Sequence, residues 1–279
     1  MRDAAKAVDL EDMALEIFIQ ALKMRHGYDF SGYARASLKR RVAELARAQA
    51  LPNIGALVPR VLYDEAFLPT VVSHLSVPVS ALFRDPEIFL ELRRHVLPVL
   101  ASWPRVNIWQ AGCAAGEEVY SLAILLAECG LARRSQIYAT DFNDHALERA
   151  AEGIFSADQL HDYEANYVAS GGTGRLADYY HERYDLVRIR RELFERVVFA
   201  HHNLVTDGVF AESHLILCRN VLIYFDKPLK ERVLTLFADS LVRGGFLVLR
   251  NKESLRFSAA ADRFEVVDER ARIYRLKHV

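Results

Sequence analysis

The segment V-N-I-W-Q-A-G-C-A-A-G-E-E-V-Y-S, Val106 to Ser121, carries the densest chemistry in this chain. An alternating apolar run ends at Gly112 and Gly116. Two carboxylates follow, Glu117 and Glu118, and then the apolar helical stretch Val119 to Leu126. Glycines let a backbone come close to a ligand, and a helix start offers unpaired N–H groups. The paired acids argue against a phosphate at this turn, because they would repel a pyrophosphate. A nucleoside bearing a cationic group fits better, and S-adenosylmethionine, with its sulfonium and ammonium, is such a ligand.

Further candidates stand at the ends of other apolar runs. Asp141 closes Gln136–Thr140 and can accept hydrogen bonds from ribose hydroxyls; a solvated strand-end aspartate is the plainer alternative. Asn203, in His201-His202-Asn203-Leu204, can pair with an adenine edge or simply shape a turn. The two histidines have no partners at metal-ligand spacing. In Cys218-Arg219-Asn220-Val221-Leu222-Ile223-Tyr224-Phe225, an arginine and an asparagine end an apolar strand, which is costly without partners. An internal salt bridge for Arg219 and a core position for Tyr224 are the structural alternatives. Arg84 and Glu118 beside them favour a shared ligand site. Glu117 is read as a helix-start carboxylate.

The elements that must position these residues follow from periodicity. Residues 10 to about 75 predict short helices, with Met13, Ile17, Phe18, Ala21 and Leu22 at helical spacing in the first. From Asp85 onward helix and strand alternate. Helices are predicted over Pro86–Ala101, Glu117–Cys129, Asp144–Gly153 and Lys227–Leu241, the last ended by Gly244-Gly245. Strands are predicted over Val106–Gln110, Gln136–Thr140, Val197–Ala200, His214–Cys218 and Phe246–Leu249. Phe264–Val267 and Ala271–Leu276 form a hairpin. This alternation argues an α/β fold with a parallel sheet, whose ligands sit at the carboxyl ends of the strands. Residues 154–195, rich in tyrosine and glycine, interrupt it as an insertion with some antiparallel strand, including Tyr184–Ile189. The domains expected are residues 1–76, helical, and 77–279, with the insertion inside the second.

Bulk properties exclude several classes. The chain has 279 residues and a formal net charge of −1, with no general bias toward nucleic acid. Cys113, Cys129 and Cys218 lack metal or disulfide spacing, which predicts a reducing compartment and no metal. The N-terminus has no apolar signal core, and no apolar run is long enough to span a bilayer. The basic stretch Arg35, Lys39, Arg40, Arg41 and Arg47 reads either as a solvated helix face or as a docking surface for an acidic helical partner. Only Tyr33 supplies an aromatic near these charges, which argues against nucleic acid.

Together these stretches resemble the chemotaxis receptor methyltransferases, the CheR family. The resemblance rests on Ala81-Leu82-Phe83-Arg84-Asp85-Pro86, on Gly112 through Ser121, on Ala139-Thr140-Asp141, on Asn203-Leu204 and on Cys218 through Phe225, in the family's order. Gly27-Tyr28-Asp29-Phe30 leading into Leu38-Lys39-Arg40-Arg41 extends it to nearly the whole chain.

The resemblance implies a Rossmann-like, S-adenosylmethionine-dependent methyltransferase domain with a small N-terminal helical domain and an inserted β-subdomain. It implies a bacterial, cytoplasmic, monomeric protein-glutamate O-methyltransferase whose partner is the cytoplasmic domain of a methyl-accepting chemoreceptor and whose product is S-adenosylhomocysteine. Carried over by motif, Arg84 and Tyr224 flank the methyl acceptor. Ser80, Arg84, Gly112, Glu118, Asp141, Asn203, Leu204, Arg219 and Asn220 line the cofactor, and Arg40 and Arg41 face the receptor. This chain departs from the family pattern at Pro78-Val79-Ser80, where Pro78 replaces an amide side chain, and at Arg250-Asn251-Lys252-Glu253, where Arg250 stands in place of a common glycine. The insertion around Gly171–Tyr180 is longer than in enteric members. A cofactor-binding signalling module without transferase activity is the alternative reading, and Arg250 is the residue that raises it.

Overall fold

The computed structural model describes residues 9–76, 80–250, 253–256 and 258–278. Pro78, Val79, Asn251 and Lys252 lie outside them. Contacts divide the chain into two units: residues 1–77 with 224–229, and residues 78–223 with 230–279.

The smaller unit is helical: α1 (Leu10–His26), α2 (Arg35–Ala48), α3 (Leu57–Tyr63) and α4 (Leu68–Leu75). Asp9 caps α1 by accepting from the Glu11 N–H, and Gly27 ends it at φ 79°. The core stripe of α1 is Leu15, Phe18, Ile19, Ala21 and Leu22, while Met13 and Ile17 are exposed. The predicted stripe was therefore rotated, because Leu15 and Ile19 complete a better-packed face. Lys39 of α2 pairs with Asp9 and Asp12, and Arg35 with Glu16, so two cations of the basic stretch already meet acids of α1.

The larger unit begins with a helical run: α5 (Pro86–Glu91), a π-helical stretch Leu92–Val96 and α6 (Leu97–Leu100). The predicted uniform helix is interrupted because Pro98 has no N–H for an α-type bond; the Leu97 N–H instead reaches back to the Leu92 carbonyl. Then come β1 (Val106–Ala111), α7 (Glu117–Glu128), β2 (Ser135–Asp141) and α8 (Asp144–Glu152). The insertion supplies β3 (Ile154–Ser156), α9 (Leu160–Ala169), β4 (Tyr180–Arg183) and β5 (Leu186–Ile189). The chain continues with β6 (Val197–His201), β7 (Ser213–Leu217), α10 (Lys227–Ser240), β8 (Leu241–Val248), β9 (Phe264–Asp268) and β10 (Ile273–Leu276).

The main sheet has seven strands in the order β6-β2-β1-β7-β8-β10-β9. β6, β2, β1, β7 and β8 are mutually parallel, and β10 runs antiparallel to both neighbours. Strand order reverses at β1, which lies between β2 and β7. This is the Rossmann-like arrangement, and it puts a switch point beside the carboxyl end of β1.

Two expectations change. Gly244 and Gly245 do not end α10, which stops at Ser240; they lie within β8. There the register jumps from Ser213 opposite Leu241 to Leu215 opposite Phe246, so a bulge carries the extra residues. Gly244 takes φ 77°, and a Cβ on Gly245 would lie 2.9 Å from the Val242 carbonyl oxygen. In the insertion, Tyr184 belongs to a turn at φ 55°, and the strand begins at Leu186. α9 was not anticipated, because its buried Tyr163 and Tyr167 sit among polar neighbours that hide the helical period. The insertion forms an antiparallel sheet in the order β3-β5-β4, and Phe155, Tyr163, Tyr167, Tyr180, Val187 and Ile189 join the same buried core as α7 and β1.

Candidate functional site

The loop after β1 is strapped to the end of β2. The Gly112 and Cys113 N–H groups donate to the Thr140 carbonyl at 2.8 and 2.9 Å. The Ala114 N–H donates to the Asp141 carboxylate at 2.9 Å. The other Asp141 oxygen accepts from the Asn143 N–H at 3.0 Å. Gly112 adopts φ 72°, and a Cβ there would lie 2.4 Å from Val221 Cγ2, so only glycine lets the loop pass. Gly116, at φ 93°, turns the chain into α7.

Glu118 and Arg219 meet across the switch point. One Glu118 oxygen accepts from Gln110 Nε2 at 2.9 Å and the other from Arg219 Nη1 at 2.5 Å. Arg219 Nη2 donates to Asp85 at 2.6 Å and to the Arg84 carbonyl at 3.1 Å. The Arg219 side chain is only 1% exposed. The internal salt bridge that stood as the structural alternative for Arg219 therefore exists, with two carboxylates on one guanidinium. Asp85 and Gln110 are the partners that inspection of the sequence missed. Gln110, a polar residue within a strand buried on both faces, was the available signal.

The turn that carries Arg84 is clamped from both sides. Phe83 and Asp85 take φ 51° and 54°, a costly backbone for residues with side chains. The Phe83 N–H donates to Ser121 Oγ at 2.7 Å, and Arg219 holds the Arg84 carbonyl and the Asp85 carboxylate. Ser80 is half-buried at the start of this segment.

The remaining candidates divide. Asn203 is a turn residue whose Oδ1 accepts from the Val205 N–H at 3.0 Å. The His202 N–H binds the Asp141 carbonyl at 3.1 Å, which draws Asn203 and the buried Leu204 toward the end of β2. Asn220 takes φ 65°; with its carbonyl turned toward Arg250 it accepts from that guanidinium. Arg250 also lies 3.7 Å from Asp85. Glu253, buried, accepts from the Arg250 and Ile223 N–H groups at 3.0 and 3.2 Å and braces the loop after β7. Tyr224 belongs to the helical unit. Its carbonyl accepts from the Ala34 N–H at 2.8 Å, and Arg41 lies 4.7 Å from its ring centroid. Arg40 is exposed and faces Glu44 at 4.0 Å.

Burial perturbs two acids here, Asp141 and Glu117. Burial pushes the Asp141 carboxyl above its ordinary value, although N–H donors from Asn143 and Ala114 work against this. Burial raises Glu117 as well, with partial relief from its own backbone N–H and from Arg149. Glu117 stands in the first turn of α7, as expected of a helix-start carboxylate, and is buried there. Gln110 Oε1 and Glu117 Oε2 are buried without a hydrogen-bond partner among the described residues. Orphaned acceptors, a glycine passage and a strand-end carboxylate together fit a ligand that is cationic at one end and carries hydroxyls at the other.

Residues 79–273 match the S-adenosylmethionine-binding domain of the CheR methyltransferases, and residues 13–76 match that family's all-alpha domain. The chain belongs to the CheR family. S-adenosylmethionine is accordingly its cofactor. The putative methyltransferase Cher3 of Pseudomonas putida is 46% identical, over 95% of this chain and 97% of its own. A chemotaxis protein methyltransferase of Listeria innocua is 31% identical, over 85% and 88%. Among solved structures, the N-methyltransferase NodS of Bradyrhizobium japonicum with bound S-adenosylhomocysteine is 16% identical, covers 76% of this chain and 74% of that one, and has a TM-score of 0.36. No helix among the described residues of this CheR chain is long and apolar enough to cross a membrane.

Proposed function

We propose that this chain transfers a methyl group from S-adenosylmethionine to glutamate side chains on the cytoplasmic domain of a methyl-accepting chemoreceptor, in the cytoplasm, forming methyl esters and S-adenosylhomocysteine. Support comes from relatives named chemotaxis protein methyltransferase. The observation that carries the acceptor class is the clamped turn Ala81–Asp85. Its backbone is bonded to Ser121 and Arg219, so the Arg84 guanidinium is presented from a fixed base, as recognition of a carboxylate requires.

In this reading Asp141 accepts from the ribose hydroxyls, Asn203 and Leu204 line the base, and Gly112 leaves room for the ligand backbone. Glu118 and Arg219, already paired, present a polar wall to the amino-acid end, with Ser80 and Asn220 beside it. When bound, the cofactor supplies an electrophilic sulfonium methyl. The acceptor is ionised at neutral pH, since glutamate's reference pKa is about 4.3, so no general base is needed. Arg84 holds one carboxylate oxygen and leaves the other to react, while the Tyr224 hydroxyl orients the group. Excluding water favours a step in which opposite charges cancel.

The test is incubation with radiolabelled S-adenosylmethionine and receptor cytoplasmic domains, followed by release of label in base. Base-labile label is expected; label stable to base would sink the ester assignment. A cofactor-binding module without transferase activity is favoured by one observation, the Arg250 guanidinium turned onto Asp85 and Asn220. Cofactor binding with no transfer to any receptor would select it.

A further inference from the structure

Arg41 stands in the basic stretch read from sequence as a docking surface, yet its guanidinium is spent inside the helical unit. Its Nη1 donates to the Leu75 carbonyl at the end of α4, at 2.9 Å. Its Cζ sits 4.7 Å from the centroid of the Tyr224 ring. Arg40, its neighbour, points outward with a side chain 68% exposed. One helix thus carries two adjacent arginines with opposite duties.

The same helix holds Tyr224 at a second point. Ala34, at the N-terminal cap of α2, donates its N–H to the Tyr224 carbonyl. Around this bond the segment is stitched down: Tyr33 bridges Phe225, their rings meet edge to face at 5.2 Å, and the Asp226 N–H donates to the Gly32 carbonyl at 2.8 Å. Backbone bonding fixes where Tyr224 is; it does not fix the side-chain torsions. The guanidinium over the ring does, because a cation at this distance is attracted to the ring face. The Leu75 carbonyl fixes the guanidinium in turn.

We propose that Arg41 is a positioning residue that holds the Tyr224 ring in the orientation its hydroxyl needs, and is not a receptor-docking cation. This rests on the reading of Tyr224 as the acceptor-orienting hydroxyl. A planar, delocalised cation stacks on a ring and donates sideways at once, whereas a lysine ammonium cannot do both from one place.

Arg41→Lys keeps the charge and removes the stack. Its kcat should fall roughly tenfold or more, as expected when a catalytic group loses its orientation. The KM for receptor, the salt dependence of that KM and the affinity for S-adenosylmethionine should stay at wild-type values. Arg40→Ala should do the reverse, raising KM in a salt-dependent way with little change in kcat. A wild-type kcat for Arg41→Lys, or a loss confined to KM and dependent on salt, would overturn the proposal. Two measurements separate its failure from failure of the underlying reading. With fluorotyrosine at position 224, fluorine NMR should show one sharp resonance in the parent and a broadened or split one in Arg41→Lys; an unchanged spectrum overturns the positioning role. Tyr224→Phe tests the other half, since wild-type turnover there removes the tyrosine from the acceptor site whatever the spectrum shows.

Discussion

Arg219 holds Glu118 and Asp85 together, and of the two carboxylates Glu118 is buried while Asp85 keeps partial contact with water. Removing the cation leaves the Glu118 charge buried and without its ion-pair partner, so Arg219→Ala should cost roughly 3–5 kcal/mol in urea unfolding and weaken cofactor binding as well. Arg84→Ala should behave differently, although the residues interact. Arg219 contacts the Arg84 backbone carbonyl, which the substitution keeps. Methyl transfer should be abolished while calorimetry finds cofactor affinity nearly unchanged. Asp141→Ala should weaken cofactor binding and loosen the loop it ties through the Ala114 N–H; unchanged affinity would remove it from the ribose site. Glu117 gives a pH signature. Its folded value is raised, so between the unfolded and folded values the native state binds more protons, and stability falls as pH rises through that window. Glu117→Gln should therefore be as stable as the parent or more so at neutral pH. The difference should vanish below about pH 4, where the parent is protonated folded and unfolded alike.

Among the elements, β1, β2 and β7 were legible because strands buried in a parallel sheet read as short apolar runs closed by polar residues, and the partly exposed edge strand β6 was legible from its β-branched and aromatic run Val197-Val198-Phe199. The hairpin of β9 and β10 was legible from alternation around Asp268-Glu269-Arg270. The bulge in β8 was not, since glycines that permit positive φ serve a bulge and a helix end equally well. Of the candidate site, Gly112, Asp141 and Arg219 stood out in the sequence by type and place. Asp85 could not be recognised as the partner of Arg219, because that contact joins positions far apart in sequence. The loop after β1 supplies a prediction at this scale. Gly112→Ala puts a Cβ against Val221 and a side chain at positive φ, so it should lose cofactor binding. Val221→Ala should restore only part of it, since it relieves the contact but not the backbone strain. The insertion gives another. Glu128 on α7 accepts from Tyr167, Tyr179 and Arg93. Burial works to raise its carboxyl, and these donors outweigh that and hold it low. Glu128→Gln should raise proteolytic nicking between Gly171 and Gly174 with little change in cofactor affinity, read by limited digestion.

At the scale of the molecule, the order of the seven strands assembles the candidate site from residues as much as 170 positions apart, from Ser80 to Arg250. Periodicity predicted the sheet, but not that residues 224–229 would pack with the helical unit, because that packing joins positions far apart in sequence through backbone bonds of Gly32 and Ala34 and a ring contact of Tyr33. That six-residue segment limits how the gene can be cut. A fragment beginning at residue 80 carries every strand among the described residues and the loop after β1, yet it also carries Phe225 and Leu229, whose neighbours Tyr33 and Gly32 would be gone. Expressed alone it should partition into inclusion bodies, and supplying residues 1–77 as a separate polypeptide should return part of it to the soluble fraction.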